Sequence, residues 1–331
     1  MAAGPRYRLA NSTGSYNENH MSDISAFARA RDAYLLVPGN FRGMASMVIS
    51  GLLLMTSFGM ARHMLVDIHP FEVAFFRSFF GVLFIIPWLM RQGLVPFKTK
   101  RLPLHLLRST IHVAGVLAFF VALKLIPLAE ATALFFFAPI ISTALAAIFL
   151  HEVVRLPRWA AVALGFCGML VIVRPGFDEI ELGTILALAS SVSAGVGMLI
   201  MKNLARTDNA ITITVYVTCL MSPMLLVPAA FFWTWPSWVA LGWLATIGLS
   251  AIIGQYLTAT AFRVAEVSVV TPLMFLQLIW ASLIGFVFFG ELPDIFLWIG
   301  GLMIFASAAY LAYRERTGGS APTEVKTGAA A

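Results

Sequence analysis

The chain has 331 residues, 60% of them hydrophobic and 11% charged, with 22 Lys and Arg against 16 Asp and Glu and a formal net charge of +6. Soluble domains carry about 45–50% apolar and about 25% charged residues, so too little polar surface exists to cover a water-soluble body. Disorder, which needs low hydrophobicity and high charge, is excluded by the same numbers. The expected solvent is the bilayer.

Residues 1–42 are polar and carry Arg6, Arg8, Arg29, Arg31 and Arg42, without the early apolar core of a secretory signal. They read as a cytoplasmic tail, in which the Asn11-Ser12-Thr13 glycosylation triplet stays idle and either Met1 or Met21 is the start. A helix needs about 20 apolar residues to cross the hydrocarbon. Ten runs qualify: 43–65, 71–91, 104–123, 128–150, 157–174, 182–202, 211–233, 238–262, 267–290 and 293–313, before a second cytoplasmic tail at 314–331. Alternating strands of a membrane barrel are absent from the sequence, so the runs are helices.

Charge gives the sidedness. With the N-terminus in the cytoplasm, 17 of the 22 basic residues fall inside and only Arg62, Lys124 and Arg174 outside, while Arg77 and Arg108 lie within helices. That asymmetry predicts a multi-pass membrane protein with both termini cytoplasmic. The basic residues form short clusters between apolar runs with no aromatic platform beside them, so no nucleic-acid partner is expected. The partners expected are lipid and a small-molecule substrate; monomer and homodimer both stay open. Cys167 and Cys219 sit deep in apolar runs as packing residues. There is no metal-ligand spacing, no cofactor motif and no Ser/His/Asp cluster, so no catalytic residue, metal or cofactor is expected and an enzyme is disfavoured.

A repeat recurs at a spacing of 139: Ala122-Leu123-Lys124 with Ala261-Phe262-Arg263, Phe149 with Phe288, Glu152 with Glu291, and Trp159 with Trp298. Five helices per half is an odd number, so the second half must be inverted relative to the first. The fold expected is an all-α membrane protein of ten transmembrane helices in two inverted five-helix repeats, 43–174 and 182–313. Such repeats place substrate near the midplane between the halves.

The stretch His69-Pro70-Phe71-Glu72-Val73-Ala74-Phe75-Phe76-Arg77 resembles the second-helix signature of the drug/metabolite transporter superfamily, EamA type. Pro127-Leu128-Ala129-Glu130-Ala131-Thr132-Ala133, followed by Pro139 and Glu152, and the later Gly290-Glu291 are similar to further parts of that pattern. The resemblance spans about 43–313 and implies transport of a small metabolite by alternating access. Within the superfamily the overall run is similar to bacterial riboflavin-uptake and S-adenosylmethionine-uptake carriers. Riboflavin uptake is the function expected, with S-adenosylmethionine, an amino acid or another metabolite as the alternative. One departure stands out: Glu266 and Leu278 occupy the second-half positions of Pro127 and Pro139, so the breaks need not be symmetric.

A few polar residues remain inside the membrane. Arg77 lies about six residues, or ~9 Å, into helix 2, where a charge needs a partner or water. It either holds an anionic substrate group or gates the outer vestibule, or else makes a structural ion pair or backbone contact that holds helix ends together; Glu72 lies five residues before it, near the outer interface. His112 is central in helix 3 with Arg108 one turn away on the same face, as a substrate or proton site or as an interhelical bond. Gln277 and Trp280, at i and i+3 in helix 9, combine an amide with an aromatic plane and suit a flat heterocycle, or pack. Tyr256 joins the substrate candidates. Ser190, Ser191 and Ser193 read as close-packing or interhelical hydrogen-bonding residues of helix 6. Pro139 is expected to bend helix 4 and free a carbonyl. Glu152 and Glu291 are expected to cap the helix that follows each, and Glu130 and Glu266 are coupling candidates if they face the cavity.

Overall fold

The computed structural model describes residues 38–92, 99–149, 156–175, 181–208, 210–265 and 267–318. Its helices are α1 Gly39–Met64, α2 Pro70–Gln92, α3 Leu102–Leu125, α4 Leu128–Phe135, α5 Ala138–Phe149 and α6 Leu156–Val173. They continue with α7 Leu182–Leu204, α8 Ala210–Ala230, α9 Trp238–Val264, α10 Val267–Val270, a 3-10 turn Thr271–Phe275, α11 Leu276–Phe289 and α12 Ile295–Gly318. Seven segments are long and apolar enough to cross a membrane, and three shorter apolar helices complete ten crossings. The ten-span all-α reading therefore holds. The words outer and inner below follow the sidedness expected from the basic residues.

Two crossings differ from expectation, because 128–150 and 267–290 are each interrupted. The first breaks at Phe136-Phe137, between α4 and α5. Pro139 is not a mid-helix kink; it occupies the first turn of α5, where its missing N–H would have no partner in any case. Ser191 of α7 donates to the carbonyl of Leu134 at 2.6 Å, which secures the end of α4. In the second half Leu278 stands where Pro139 does, yet the crossing still breaks, now with Pro272 at the start of the 3-10 turn. The symmetry of the break survives although the proline has moved.

The half-to-half register is close. Helices α3 and α9 end at Leu125 and Val264, and α4 and α10 begin at Leu128 and Val267, in both cases 139 apart. The most extensive helix contacts join α1 to α9 and α3 to α7, followed by α6 with α12. Since α7 is the counterpart of α1 and α9 of α3, the first two are one contact made twice, with each half lending a helix to the other. A glycine makes each approach possible. A Cβ on Gly115 would lie 2.6 Å from the Ser193 Cβ, and one on its counterpart Gly254 would lie 2.8 Å from the Leu54 Cγ. Small residues at a helix crossing let backbones close in where lipid supplies no hydrophobic drive.

Lipid-facing apolar side chains cover the outside of the bundle. At the outer end, Phe231, Trp235 and Trp238 are over 80% exposed around the α8–α9 connection. That is the placement expected of an aromatic belt at headgroup level. Ser237 caps α9 there, its hydroxyl accepting from the Ala240 N–H at 3.2 Å.

Candidate substrate site and the ties at either end

Helix α1 runs along the seam between the halves. Its Gly51 faces the Gln277 side chain and the Trp280 ring of α11. Two turns on, roughly 10 Å along the same face, Phe58 lies 5.3 Å beneath the Arg77 guanidinium of α2. Phe58 also packs on Phe119 of α3 (centroids 5.0 Å), which meets Phe135 at the end of α4 (5.5 Å). A continuous inner face thus joins α1, α2, α3, α4 and α11.

Among the described residues, no carboxylate lies within ion-pair distance of Arg77 or Arg108. His112 follows Arg108 by one turn on the same face of α3. Arg108 donates to the Ile213 carbonyl of α8 at 3.3 Å and contacts the Met201 sulfur of α7 at 3.7 Å. Among the described residues, the Arg77 Nε, Arg108 Nε, Ser109 hydroxyl and Trp280 Nε1 are all buried donors with no acceptor.

Glu72 is not Arg77's partner, contrary to the pairing considered from sequence. It is fully buried at the outer end of α2 and accepts from both the N–H and the hydroxyl of Thr234, fixing the α8–α9 connection. Tyr256 also leaves the candidate site: its side chain lies on the exposed, bundle-exterior surface of α9, 66% exposed. Glu152 and Glu266 lie outside the described residues. Ser191 is an interhelical hydrogen-bonding residue and Ser193 a close-packing one, as their positions implied.

Glu291 caps a different helix from the one expected. Gly290, at φ +68°, turns the chain in the left-handed region that glycine tolerates. The turn aims Glu291 back across the bundle, where its Oε2 accepts from the N–H of Leu128, the first residue of α4, at 3.0 Å. Its Oε1 meets the Arg62 Nη2 at 2.5 Å. Arg62 also donates to the carbonyls of Leu123 and Ile126, gathering the end of α3 into the same knot. Nearby, Glu130 accepts from Thr184 of α7 at 3.0 Å, and Arg174 pairs with Asp294 at 2.9 Å. Glu130, Arg174, Glu291 and Asp294 line a cleft of about 120 Å³ at this outer end. The cleft is separate from the Arg77–Trp280 face and contains none of its residues.

The inner end has its own knot, which sequence spacing did not reveal. Asp208, just after α7, accepts from the Thr99 hydroxyl at 2.6 Å and meets the His105 Nε2 of α3 at 2.7 Å. These hydrogen bonds, Thr99's first, hold the Asp208 carboxyl below its ordinary value. The His105 ring stacks on Tyr216 of α8, centroids 4.5 Å apart. Arg101 donates to the Asn203 side chain and backbone at 3.1 and 3.2 Å. The partners are 102 to 109 residues apart, and only the fold places the start of α3 beside the end of α7.

Two interlocked halves of apolar helices, tied at both ends, make a multi-pass membrane protein, and the family match and the named relatives make it a transporter rather than an enzyme. The chain belongs to the EamA-like transporter family, which matches residues 41–174 and 181–313. It is 32% identical to the riboflavin transporter of Rhizobium johnstonii over 247 residues, 74% of this chain and 81% of that protein. It is 25% identical to the S-adenosylmethionine uptake transporter of Rickettsia bellii, over 78% of this chain and 88% of that one. A solved crystal structure shares the fold at a TM-score of 0.55 and 20% identity, covering 82% of this chain and 99% of the other.

Proposed function

We propose that the protein takes up riboflavin across the bacterial inner membrane by alternating access, with both termini cytoplasmic and with 43–174 and 182–313 as the two moving halves. The observation that carries the reading is the likeness to a riboflavin transporter over four-fifths of that protein's length. The inner face supports it. Trp280 offers an indole plane with a free N–H, and Gln277 offers an amide. A flat ring bearing carbonyl and ring-nitrogen acceptors satisfies both. Substrate binds between the Gly51–Trp280 contact and Arg77. The outer knot at Glu291 and the inner knot at Asp208 release in turn.

S-adenosylmethionine is the alternative that the Rickettsia relative brings. Its sulfonium and ammonium outweigh its one carboxylate, so it would bring a net positive charge to a face already holding Arg77 and Arg108, which favours the flavin. Expression in a riboflavin-auxotrophic bacterium lacking its own carrier tests the reading. Growth on micromolar riboflavin is expected; no growth with normal membrane expression overturns it.

A further inference from the structure

The unusual feature of the inner face is its supply of donors without acceptors. Among the described residues, Arg77, Arg108 and Trp280 each present a buried N–H with no partner, and His112 follows Arg108 by one turn on the same face of α3. Among the described residues, the acids of the membrane part are all committed toward the ends. Glu72 is held by Thr234, Glu130 by Thr184 and Glu291 by Arg62. A buried positive charge is retained only where something compensates it. Phe58 supplies part of that to Arg77 through its ring face, and the Ile213 carbonyl supplies part to Arg108. Neither is an anion.

The positions form a column. Arg77 lies about seven residues, ~10 Å, from the outer end of α2, and Arg108 about six residues, ~9 Å, from the inner end of α3, with His112 between them at mid-depth. Trp280 and Gln277 face the same α1 stripe that carries Phe58 over to Arg77. A ring resting at Trp280 therefore leaves its substituent pointing along the cations.

We infer that Arg77, Arg108 and His112 form an anion subsite beside the Gln277–Trp280 face, so that the carrier takes a flat heterocycle bearing a phosphate or carboxylate in preference to its neutral form. This deepens the riboflavin reading and rests on the same placement of substrate. It adds that riboflavin 5′-phosphate occupies the site more tightly than riboflavin.

The test uses the full-length protein purified in detergent, with equilibrium dialysis against two matched pairs: riboflavin with riboflavin 5′-phosphate, and adenosine with its 5′-phosphate. Inorganic phosphate and benzoate serve as minimal anions in thermal melts. The phosphorylated member of a pair should bind about tenfold tighter, the worth of one charge-assisted hydrogen bond. R77Q and R108Q should each bring the ratio close to one while leaving the neutral partner's affinity within about threefold. R77K should retain part of the preference, and K124Q, at an exposed lysine, should retain all of it. R77K and size-exclusion profiles separate a lost subsite from a lost fold. A wild-type ratio of one, or a ratio unchanged in both glutamine variants, overturns the inference. If neither flavin binds, the riboflavin reading fails, and the adenosine pair with the minimal anions decides the subsite alone. No stabilisation or binding by any of these anions refutes it.

Discussion

Removing Glu291 should loosen the outer end by an amount the contacts allow to be worked out. The carboxylate pairs with Arg62 and accepts the first N–H of α4, and both side chains of the pair keep only about a sixth of their exposure (17% and 15%). Breaking a fully buried pair costs about 3–5 kcal/mol and an exposed one about 0–1. Arg62 retains the Leu123 and Ile126 carbonyls after the loss, which softens the penalty. E291A is then expected to cost about 3 kcal/mol and R62A about 2. Each 1 kcal/mol corresponds to roughly 2–4 °C of melting temperature in a chain of this order of size. E291A should therefore melt about 6–12 °C below the wild type in detergent, with E291Q between them because its amide oxygen still accepts from Leu128. The double variant should melt close to E291A, giving a coupling of about 2 kcal/mol in the cycle. Additive losses, with coupling under about 0.5 kcal/mol, would refute the knot as described.

Two other outcomes follow from packing and charge. Gly115→Ala places a methyl 2.6 Å from the Ser193 Cβ and should cost about 1–3 kcal/mol, read as reduced monodisperse yield and a lower melt. Gly197→Ala, with open space around it, should be neutral or stabilising by up to about 1 kcal/mol. Asp208 titrates below its ordinary value because Thr99 and His105 hydrogen-bond its charged form. Its stabilisation is complete above the unfolded value of about 4 and is lost as pH falls through the lower folded value. Wild-type melting temperature should drop across that acidic window. D208N, which has no charge to lose, should show a flatter profile there and start lower at pH 7.

The sequence carried the helices because each is a self-contained apolar run, and it carried the repeat because Phe149, Glu152 and Trp159 recur at 139. It could not carry the breaks. Nothing in the Ala133–Pro139 run separates a kinked helix from two helices, and the second-half break uses Pro272 where an offset of 139 points to Leu278. Side-chain direction was equally hidden. Tyr256 sits on an apolar run whose two faces have similar composition, so its exposure needed the packing of α9 on α1. Arg77, His112, Gln277 and Trp280 were legible because a polar group inside an apolar helix is costly anywhere except on an interior face. His105 and Asp208 were missed. The signal that could have found them was the repeat itself, since α3 with α7 is the counterpart of α1 with α9.

The two knots also differ in kind, and that difference bears on how the proposed carrier would cycle. The outer knot is an ion pair with a backbone cap, held on a glycine turn, and joins α1, the end of α3 and α4 to the segment after α11. The inner knot joins the start of α3 to the end of α7 through separate hydrogen bonds: the Thr99 hydroxyl and the His105 ring meet the Asp208 carboxylate, and the Arg101 guanidinium donates to the Asn203 amide oxygen. A carrier must keep its inward-open and outward-open forms within a few kcal/mol, or one becomes too rare to turn over. One tie of about 2–3 kcal/mol at the outer end against several hydrogen bonds of about 1 kcal/mol each at the inner end meets that condition. Strengthening either side alone should trap the carrier with that side closed. An anion bound between Arg77 and Arg108 would contact α2 and α3 together, and so would draw the two ends' motions onto the occupied site.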